Sequence, residues 1–294
     1  RVFDTPTSEN GLTGIAVGAA INGCRVIMTH QRLDFALLSL DQIINNAAKW
    51  HYIFNGKYKV PITIRLIIGK GWGQGPTHSQ ALHGLFAHIP GLKVMTPFFS
   101  SDAKNLLMQA IKDPNPVIFI EHRWLHNQKG RIKKEKVQPI ARIKKGSDIT
   151  IVSSSIMTKE AIETSNTLAK NNISAEILNI NIMKPLDEKI IIKSIKKTGR
   201  ILVLDFGPSF LSIASEIISI VSIKAHKYLK TAPQKIAMPD VPVPTSYGLT
   251  KKFYPDQKNI INVCEKIFNL KFKIKNFHKD LHHDVPDEKF KGPF

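Results

Sequence analysis

Residues 61–68, Pro-Ile-Thr-Ile-Arg-Leu-Ile-Ile, leave this chain few folds to choose from, because they are β-branched or apolar at almost every position. Such a run reads as a strand buried on both faces, and strands of that kind belong to parallel sheets covered by helices. Its neighbours agree. Leu37, Leu40, Ile44, Ala47 and Ala48 recur with helical period before it. After it, residues 92–96 read as a strand stopped at Pro97, Ser100 or Ser101 can cap a helix running through Ile111, and residues 117–121 read as another strand. A second series opens with Ile149-Thr150-Ile151-Val152, continues through a helix over 159–169, and repeats with strands over 175–180 and 201–205. Parallel neighbours need a crossover, usually a helix. The alternation therefore predicts an α/β protein of two doubly wound, mainly parallel-sheet domains.

Length agrees with two units, since 294 residues exceed the roughly 100–200 that one domain commonly takes. Over residues 129–146 the pattern breaks into Lys, Arg, Gly and Pro, which predicts a linker between a first domain over 1–128 and a second over 147–270. Residues 271–294, basic and rich in histidine, predict an extended surface arm. The chain opens at Arg1 directly inside a motif, so the first domain is expected to continue upstream.

A formal charge of +19 raises nucleic acid or anionic membranes as partners. The lysines are scattered, however, with concentrations only over 129–145 and 251–279, so a solvated basic surface is expected and a nucleic-acid partner is not. The longest apolar runs, such as residues 14–21, fall short of the ~20 residues of a membrane span. No membrane partner and a cytoplasmic location are expected. Cys24 and Cys264 lie far apart beside apolar residues, which favours reduced thiols over a disulfide.

Two segments carry chemistry. In Thr5-Pro6-Thr7-Ser8-Glu9-Asn10-Gly11-Leu12 a lone carboxylate enters just before the small, apolar residues 15–21, surroundings that disfavour a charged carboxylate. In Gly69-Lys70-Gly71-Trp72-Gly73-Gln74-Gly75-Pro76-Thr77-His78-Ser79-Gln80, a loop able to bend close to a ligand delivers an imidazole after a strand. An acid and a base on two loops suggest one site. The glycines have neither the dinucleotide spacing nor the Gly-Lys-Ser/Thr ending of a phosphate cradle. Taken singly, each residue has a plainer reading: His78 as surface or satisfied core, Phe35 as core, and Asp113-Pro114-Asn115-Pro116 as an ordinary turn.

Together with Thr29-His30-Gln31-Arg32-Leu33-Asp34-Phe35, these segments resemble the beta subunit of the thiamine-diphosphate-dependent component of 2-oxo-acid dehydrogenases (pyruvate and branched-chain type), a transketolase-like family. Gly71-Trp72-Gly73-Gln74-Gly75 and Glu121-His122-Arg123-Trp124-Leu125-His126 resemble a subset of these beta subunits rather than the pyruvate or branched-chain enzymes, which leaves the 2-oxo acid open. The resemblance runs nearly end to end. It implies a pyrimidine-binding domain over 1–128, a transketolase C-terminal-like domain over 147–270, and oxidative decarboxylation of a 2-oxo acid with acyl transfer to a lipoyl group. By its match to Thr-Pro-x-x-Glu-x-Gly, Glu9 would be the catalytic acid against the pyrimidine nitrogen of the cofactor. His78, in His-Ser-Gln, would be the catalytic histidine at the reacting carbon, and Phe35 the ring packed on the aminopyrimidine. Oxygens of Ile62, Ala110, Ile111, Asp113 and Asn115 would hold a structural potassium ion. His30 and Arg32 stand where the family has less charged residues, and Arg grips carboxylates in a bidentate fork, so these two are candidates for recognising a substrate carboxylate.

Nothing in the sequence resembles the Gly-Asp-Gly…Asn-Asn segment that holds magnesium and the diphosphate in thiamine enzymes. The resemblance therefore implies an alpha subunit that holds Mg²⁺ and shares the thiamine diphosphate, in a heterotetramer of two alpha and two beta. Gly14, Gly18 and Ala19, about one helical turn apart, would let a partner backbone approach closely. A lipoyl-bearing acyltransferase is the second implied partner, although the basic second domain departs from the acidic docking patches of some members. Two rivals keep the fold: a split transketolase or deoxyxylulose-phosphate-synthase-like subunit, and a non-catalytic basic binding protein. Agreement from Val94-Met95-Thr96-Pro97 through Thr198-Gly199-Arg200 favours the dehydrogenase component.

Overall fold

The computed structural model of the protein describes residues 2–69, 73–132 and 136–272. Most of the arm expected over 271–294, and Lys70, Gly71 and Trp72 of the glycine loop, lie outside the described residues.

In chain order the first half comprises α1 (Glu9–Ile21), β1 (Val26–His30), α2 (Leu33–Ala36), α3 (Ala48–Ile53), β2 (Ile62–Ile68), α4 (His83–His88), β3 (Lys93–Met95), α5 (Ser100–Lys112) and β4 (Val117–His122). The second half adds β5 (Ile140–Lys144), β6 (Ile149–Ser153), α6 (Met157–Ala169), β7 (Ala175–Ile180), β8 (Ile182–Lys184), α7 (Glu188–Thr198) and β9 (Ile201–Pro208). It closes with α8 (Ile213–Lys224), β10 (Gln234–Met238), α9 (Tyr247–Phe253) and α10 (Gln257–Phe268).

Two five-stranded sheets result, ordered β1-β2-β4-β3-β8 and β10-β9-β6-β7-β5. Within each, every pairing is parallel except at one edge, where β8 runs antiparallel to β3 and β5 antiparallel to β7. The apolar run that defined the class behaves as its composition requires: Ile62, Ile64, Leu66 and Ile68 are all at most 1% exposed, beneath helices on an interior strand. No helix among the described residues is long and apolar enough to cross a membrane.

The expected linker needs a correction. Residues 140–144, inside the predicted 129–146 break, form the edge strand β5. Its apolar residues Ile140, Ala141 and Ile143 are interleaved with Arg142, Lys144 and Lys145, the charged punctuation typical of an edge strand, and that hid the strand from a reading based on apolar runs. Two of these cations have partners: Arg142 Nε lies 3.5 Å from Glu176 Oε2, and Lys144 Nζ donates to Ser165 Oγ at 3.1 Å. A second departure is β8, which comes from the second half of the chain yet completes the first sheet. The two halves thus share a sheet edge; the main buried cluster draws on both sheets, and a smaller one gathers Met95, Leu106, Val117, Phe119 and Ile182.

Open α/β sheets bind ligands at the carboxyl ends of their strands. In the first sheet the register aligns His30 of β1 with Leu66 of β2, and Ile68 of β2 with His122 of β4. The segments that follow those three strands, carrying Arg32, the glycine loop and Arg123, therefore emerge side by side.

Candidate active site

Glu9 is the first residue of α1 and is half-buried. Its charge reaches the imidazole of His30, which is 4% exposed at the end of β1. Burial pushes His30 below the usual histidine range, with the Glu9 charge opposing. Thr13, one turn along α1 from Glu9, lies 3.4 Å from His30 Nε2 through its hydroxyl.

Arg32 follows His30 by two residues and is 4% exposed. Its Nη2 donates to Gln74 Oε1 on the glycine loop, while its Nη1 is buried with no hydrogen-bond partner among the described residues. Burial first, then the nearby Arg123 charge, lower this guanidinium to about 10, against the pull of Asp34. Asp34 itself is spent on the other end of the loop, where its Oδ1 accepts from Gln80 Nε2 at 2.8 Å and from Gln80 N at 3.3 Å.

Between those two anchors stands His78. Its ring meets Phe35 edge-on, with centroids 5.4 Å apart and planes at 89°. Its Nδ1 lies 2.9 Å from Thr77 Oγ1. Phe35 is half-buried and does not join the hydrophobic core. Residues 30–35 and 74–80, read as separate motifs in the sequence, are thus one surface. Glu9 approaches it from α1 through His30.

The second domain clamps the same loop. Gly75, at a φ of 62°, has Thr245 filling the space a Cβ would take. At the loop's far end, His83 Nε2 lies 2.8 Å from Asp205 Oδ1, and both side chains are almost fully enclosed. Asp205 also accepts from the backbone of Gly207 at 2.9 Å and Ala214 at 3.0 Å, and Phe206 stacks on the imidazole at 4.0 Å. Burial alone would raise this carboxyl. The His83 charge and these donors outweigh it and hold Asp205 below the usual range. Sequence reading missed Gln74, Asp34, His83 and Asp205; an acid at a strand end and a histidine at a helix start gave only a weak local signal for the last two.

The five residues matched to potassium form a separate cluster. Arg25 Nη1 donates to Ile111 O at 2.8 Å and to Asp113 O at 3.3 Å. Ala110 O accepts from Asp113 N at 3.1 Å, and Lys93 Nζ sits 2.5 Å from Asp113 Oδ2. Asn115 N donates to Asp113 Oδ1 at 2.9 Å, while Asn115 Oδ1 is buried with no hydrogen-bond partner among the described residues. Ile62 is buried at the start of β2. Among the described residues, no group of three or more His, Cys, Asp or Glu is placed to hold a metal.

Two mainly parallel sheets with candidate site residues gathered at one set of strand ends fit a transketolase-type protein, and the family comparisons show that class. Residues 1–128 match the transketolase pyrimidine binding domain and residues 139–260 the transketolase C-terminal domain. Pyruvate dehydrogenase E1 component subunit beta of Rickettsia bellii is 39% identical over 276 residues, covering 92% of this chain and 85% of that one. Acetoin:2,6-dichlorophenolindophenol oxidoreductase subunit beta of Cupriavidus necator is 38% identical over 270 residues, covering 90% and 80%. The chain belongs to the transketolase-like family of E1 beta subunits of 2-oxo-acid dehydrogenases. A solved split-gene transketolase, described as an inactive beta4 tetramer, superposes with a TM-score of 0.76 over 92% of this chain and 84% of that one; at 20% identity it speaks for the fold alone.

Proposed function

We propose that this chain is the beta half of an enzyme that oxidatively decarboxylates a 2-oxo acid and passes the acyl group to a lipoyl group, working with an alpha subunit in a heterotetramer of two alpha and two beta. The observation that carries this reading is the meeting of Phe35 and His78 at 5.4 Å, on strand ends also reached by Glu9, in a chain 39% identical to an E1 beta subunit. The split-transketolase reading rests on a likeness of 20% identity and is the weaker one.

Thiamine diphosphate, when bound, supplies a nucleophilic thiazolium carbon and a sink for the electron pair that decarboxylation leaves behind. The residues fit its aminopyrimidine end, because Phe35 offers a half-exposed ring that the core does not use and Glu9 a half-buried carboxyl. Glu9 would hold a proton toward the pyrimidine nitrogen, Phe35 would support the ring by stacking, and His78 would move a proton at the reacting carbon or guide the acyl acceptor. Mg²⁺ and the diphosphate would be held by the alpha subunit. Ser8, Asn10 and Gly11 are exposed beside Glu9, so that subunit would also complete the enclosure of its carboxyl.

A potassium ion suits the oxygens around Asn115 in type, since a carbonyl that accepts from Arg25 keeps a second lone pair. Its support is the buried, unpartnered Asn115 Oδ1, and a potassium titration of thermal stability tests it. The first domain is taken as residues 1–128 and the second as running from β5 to about residue 270, and the free thiols of Cys24 and Cys264 go with a cytoplasmic location.

Co-expression with the alpha subunit, followed by dye reduction dependent on a 2-oxo acid and on thiamine diphosphate, tests the activity. Sugar-phosphate carboligation in its place would transfer the chain to the transketolase reading. Activity of neither kind, with salt-sensitive binding to an acidic partner, would favour the non-catalytic one.

A further inference from the structure

Arg32 is an arginine committed to a buried position with half of its fork unused. One nitrogen, Nη2, is tied to Gln74, and the other, Nη1, faces no hydrogen-bond partner among the described residues although the residue is only 4% exposed. Burying a guanidinium is strongly unfavourable unless an anion and hydrogen bonds compensate. The Asp34 charge opposes this only in part, and Asp34 Oδ1 accepts from Gln80 Nε2 at 2.8 Å; Glu121, on β4, accepts from Arg65 Nε at 2.9 Å and Nη2 at 2.6 Å.

A second arginine starts from a nearby strand end. Arg123 follows directly on β4, whose last residue His122 is in register with Ile68, so it lies beside the start of the glycine loop. A Cβ on Gly69 would come within 3.1 Å of the Arg123 Cβ, which places the two backbones against each other. Strands are spaced about 4.8 Å apart, so the ends of β1 and β4, separated by β2, are about 10 Å apart at the backbone, a gap two arginine side chains can close. Mutual repulsion accompanies their approach: the Arg123 charge is the second cause, after burial, of the lowered Arg32. Arg32, out of water, with Nη1 unpartnered among the described residues and within reach of the Arg123 charge, is where an anion would be stabilised.

We propose that Arg32 and Arg123 form a carboxylate receptor beside His78 that selects 2-oxo acids carrying a second, distal carboxylate. This rests on the reading of the His78 surface as a 2-oxo-acid site. The receptor is in contact with that surface, because Gln74, which Arg32 holds, and His78, which Phe35 meets, belong to one loop.

The distal group is preferred over the 2-oxo acid's own carboxylate for an energetic reason. That carboxylate leaves as CO₂, its bonding electron pair remaining on the former carbonyl carbon. Two cations gripping it would stabilise the ground state more than the transition state and slow the step. A carboxylate that persists through the reaction can use the same binding energy without that penalty.

The test uses the full assembly with its alpha subunit. Steady-state kcat/KM is compared for 2-oxoglutarate and for 2-oxopentanoate, which share chain length and differ in the distal group. The unsubstituted enzyme should favour the dicarboxylate at least tenfold, Arg123→Gln should lower that ratio at least tenfold, and Arg123→Lys should retain part of it. Independently of turnover, glutarate should raise the thermal midpoint of the unsubstituted assembly more than butyrate does, and Arg123→Gln, at a half-exposed position that folding tolerates, should abolish the difference. Preference for 2-oxopentanoate, or a ratio and glutarate shift unmoved by Arg123→Gln, overturns the proposal. So does a weakened alpha–beta association in Arg123→Gln with the ratio intact, since the carboxylate would then belong to the partner subunit. Turnover of 2-oxopentanoate without selectivity sinks this inference and leaves the proposed function standing. Absence of any 2-oxo-acid turnover sinks that function, and the glutarate shift still decides whether the receptor exists.

Discussion

His78 stands edge-on to Phe35, ring centroids 5.4 Å apart, and the two residues arrive from different strand ends: Phe35 from α2 after β1, His78 from the glycine loop after β2. The contact joins a ring that the core does not use to an imidazole that the loop presents, so the same surface can support a flat heterocycle and address its reacting atom. Each half of that statement can be tested separately.

Removing the ring should weaken cofactor binding before it affects folding. Phe35 is half-buried and outside the hydrophobic core, so Phe35→Ala leaves no enclosed cavity. A stacked ring is worth about 1.5 kcal/mol beyond its buried area, which corresponds to roughly a tenfold higher half-saturation for thiamine diphosphate. Titration of the apo-assembly with cofactor, followed by dye reduction, measures it. An unchanged half-saturation point would return Phe35 to a purely structural role.

Glu9→Gln keeps the shape of the side chain and removes its proton chemistry. Positioned acids and bases contribute about 10²–10⁴ in rate, so kcat should fall at least about a hundredfold. Because Glu9 is half-buried at the start of a helix, the thermal midpoint should stay within about 2 °C. Exchange of the thiazolium proton of the bound cofactor for deuterium, followed by NMR, would show whether the lost step is cofactor activation.

Much of this was legible in the sequence because it is local. The run over 62–68 could only be a buried strand, and Glu9, Phe35 and His78 each sit in a short motif. What escaped depends on contacts distant in sequence. Nothing near Arg32 announces Gln74, and nothing near His83 announces Asp205 in the other sheet, since long-range partners leave no periodicity. Edge strand β5 escaped for a different reason: its Arg and Lys are what an edge exposed to water requires, and in a chain of charge +19 they look like any basic loop.

The clasp between His83 and Asp205 should be a stability element with a defined pH signature. Asp205 is a buried carboxylate that accepts from His83, Gly207 and Ala214, and hydrogen bonds to a charged group contribute about 1.5–3 kcal/mol each, so Asp205→Asn should lower the unfolding midpoint clearly. Asp205 is held below its unfolded value, so the unfolded chain takes up this proton first as pH falls. The clasp's contribution is therefore complete above the unfolded carboxylate range, near pH 4, and is lost as pH drops through the lower folded value. Urea unfolding of the parent and of Asp205→Asn should converge as pH falls below about 4, the unfolded carboxylate value. A gap between the two curves that does not narrow on acidification would argue against this linkage.

His30 carries the opposite kind of linkage, and it bears on Glu9. Burial lowers its affinity for a proton in the folded state, with the Glu9 charge only partly restoring it, while the unfolded chain titrates near 6.5. As pH falls below that value the unfolded chain takes up a proton that the folded chain resists. Stability is complete above about pH 6.5 and declines below it, by at most about 1.4 kcal/mol per pH unit for one group. His126, also lowered chiefly by burial, adds to the slope. His30→Gln, which can still reach Thr13, should flatten the fall in urea stability between pH 7.5 and 5.5 by up to about 1 kcal/mol without removing it. A slope identical to the parent's would mean that His30 is already charged when folded. The distinction matters for the site, because a neutral imidazole adds no positive charge beside Glu9, and a carboxyl meant to hold a proton needs that neighbour uncharged.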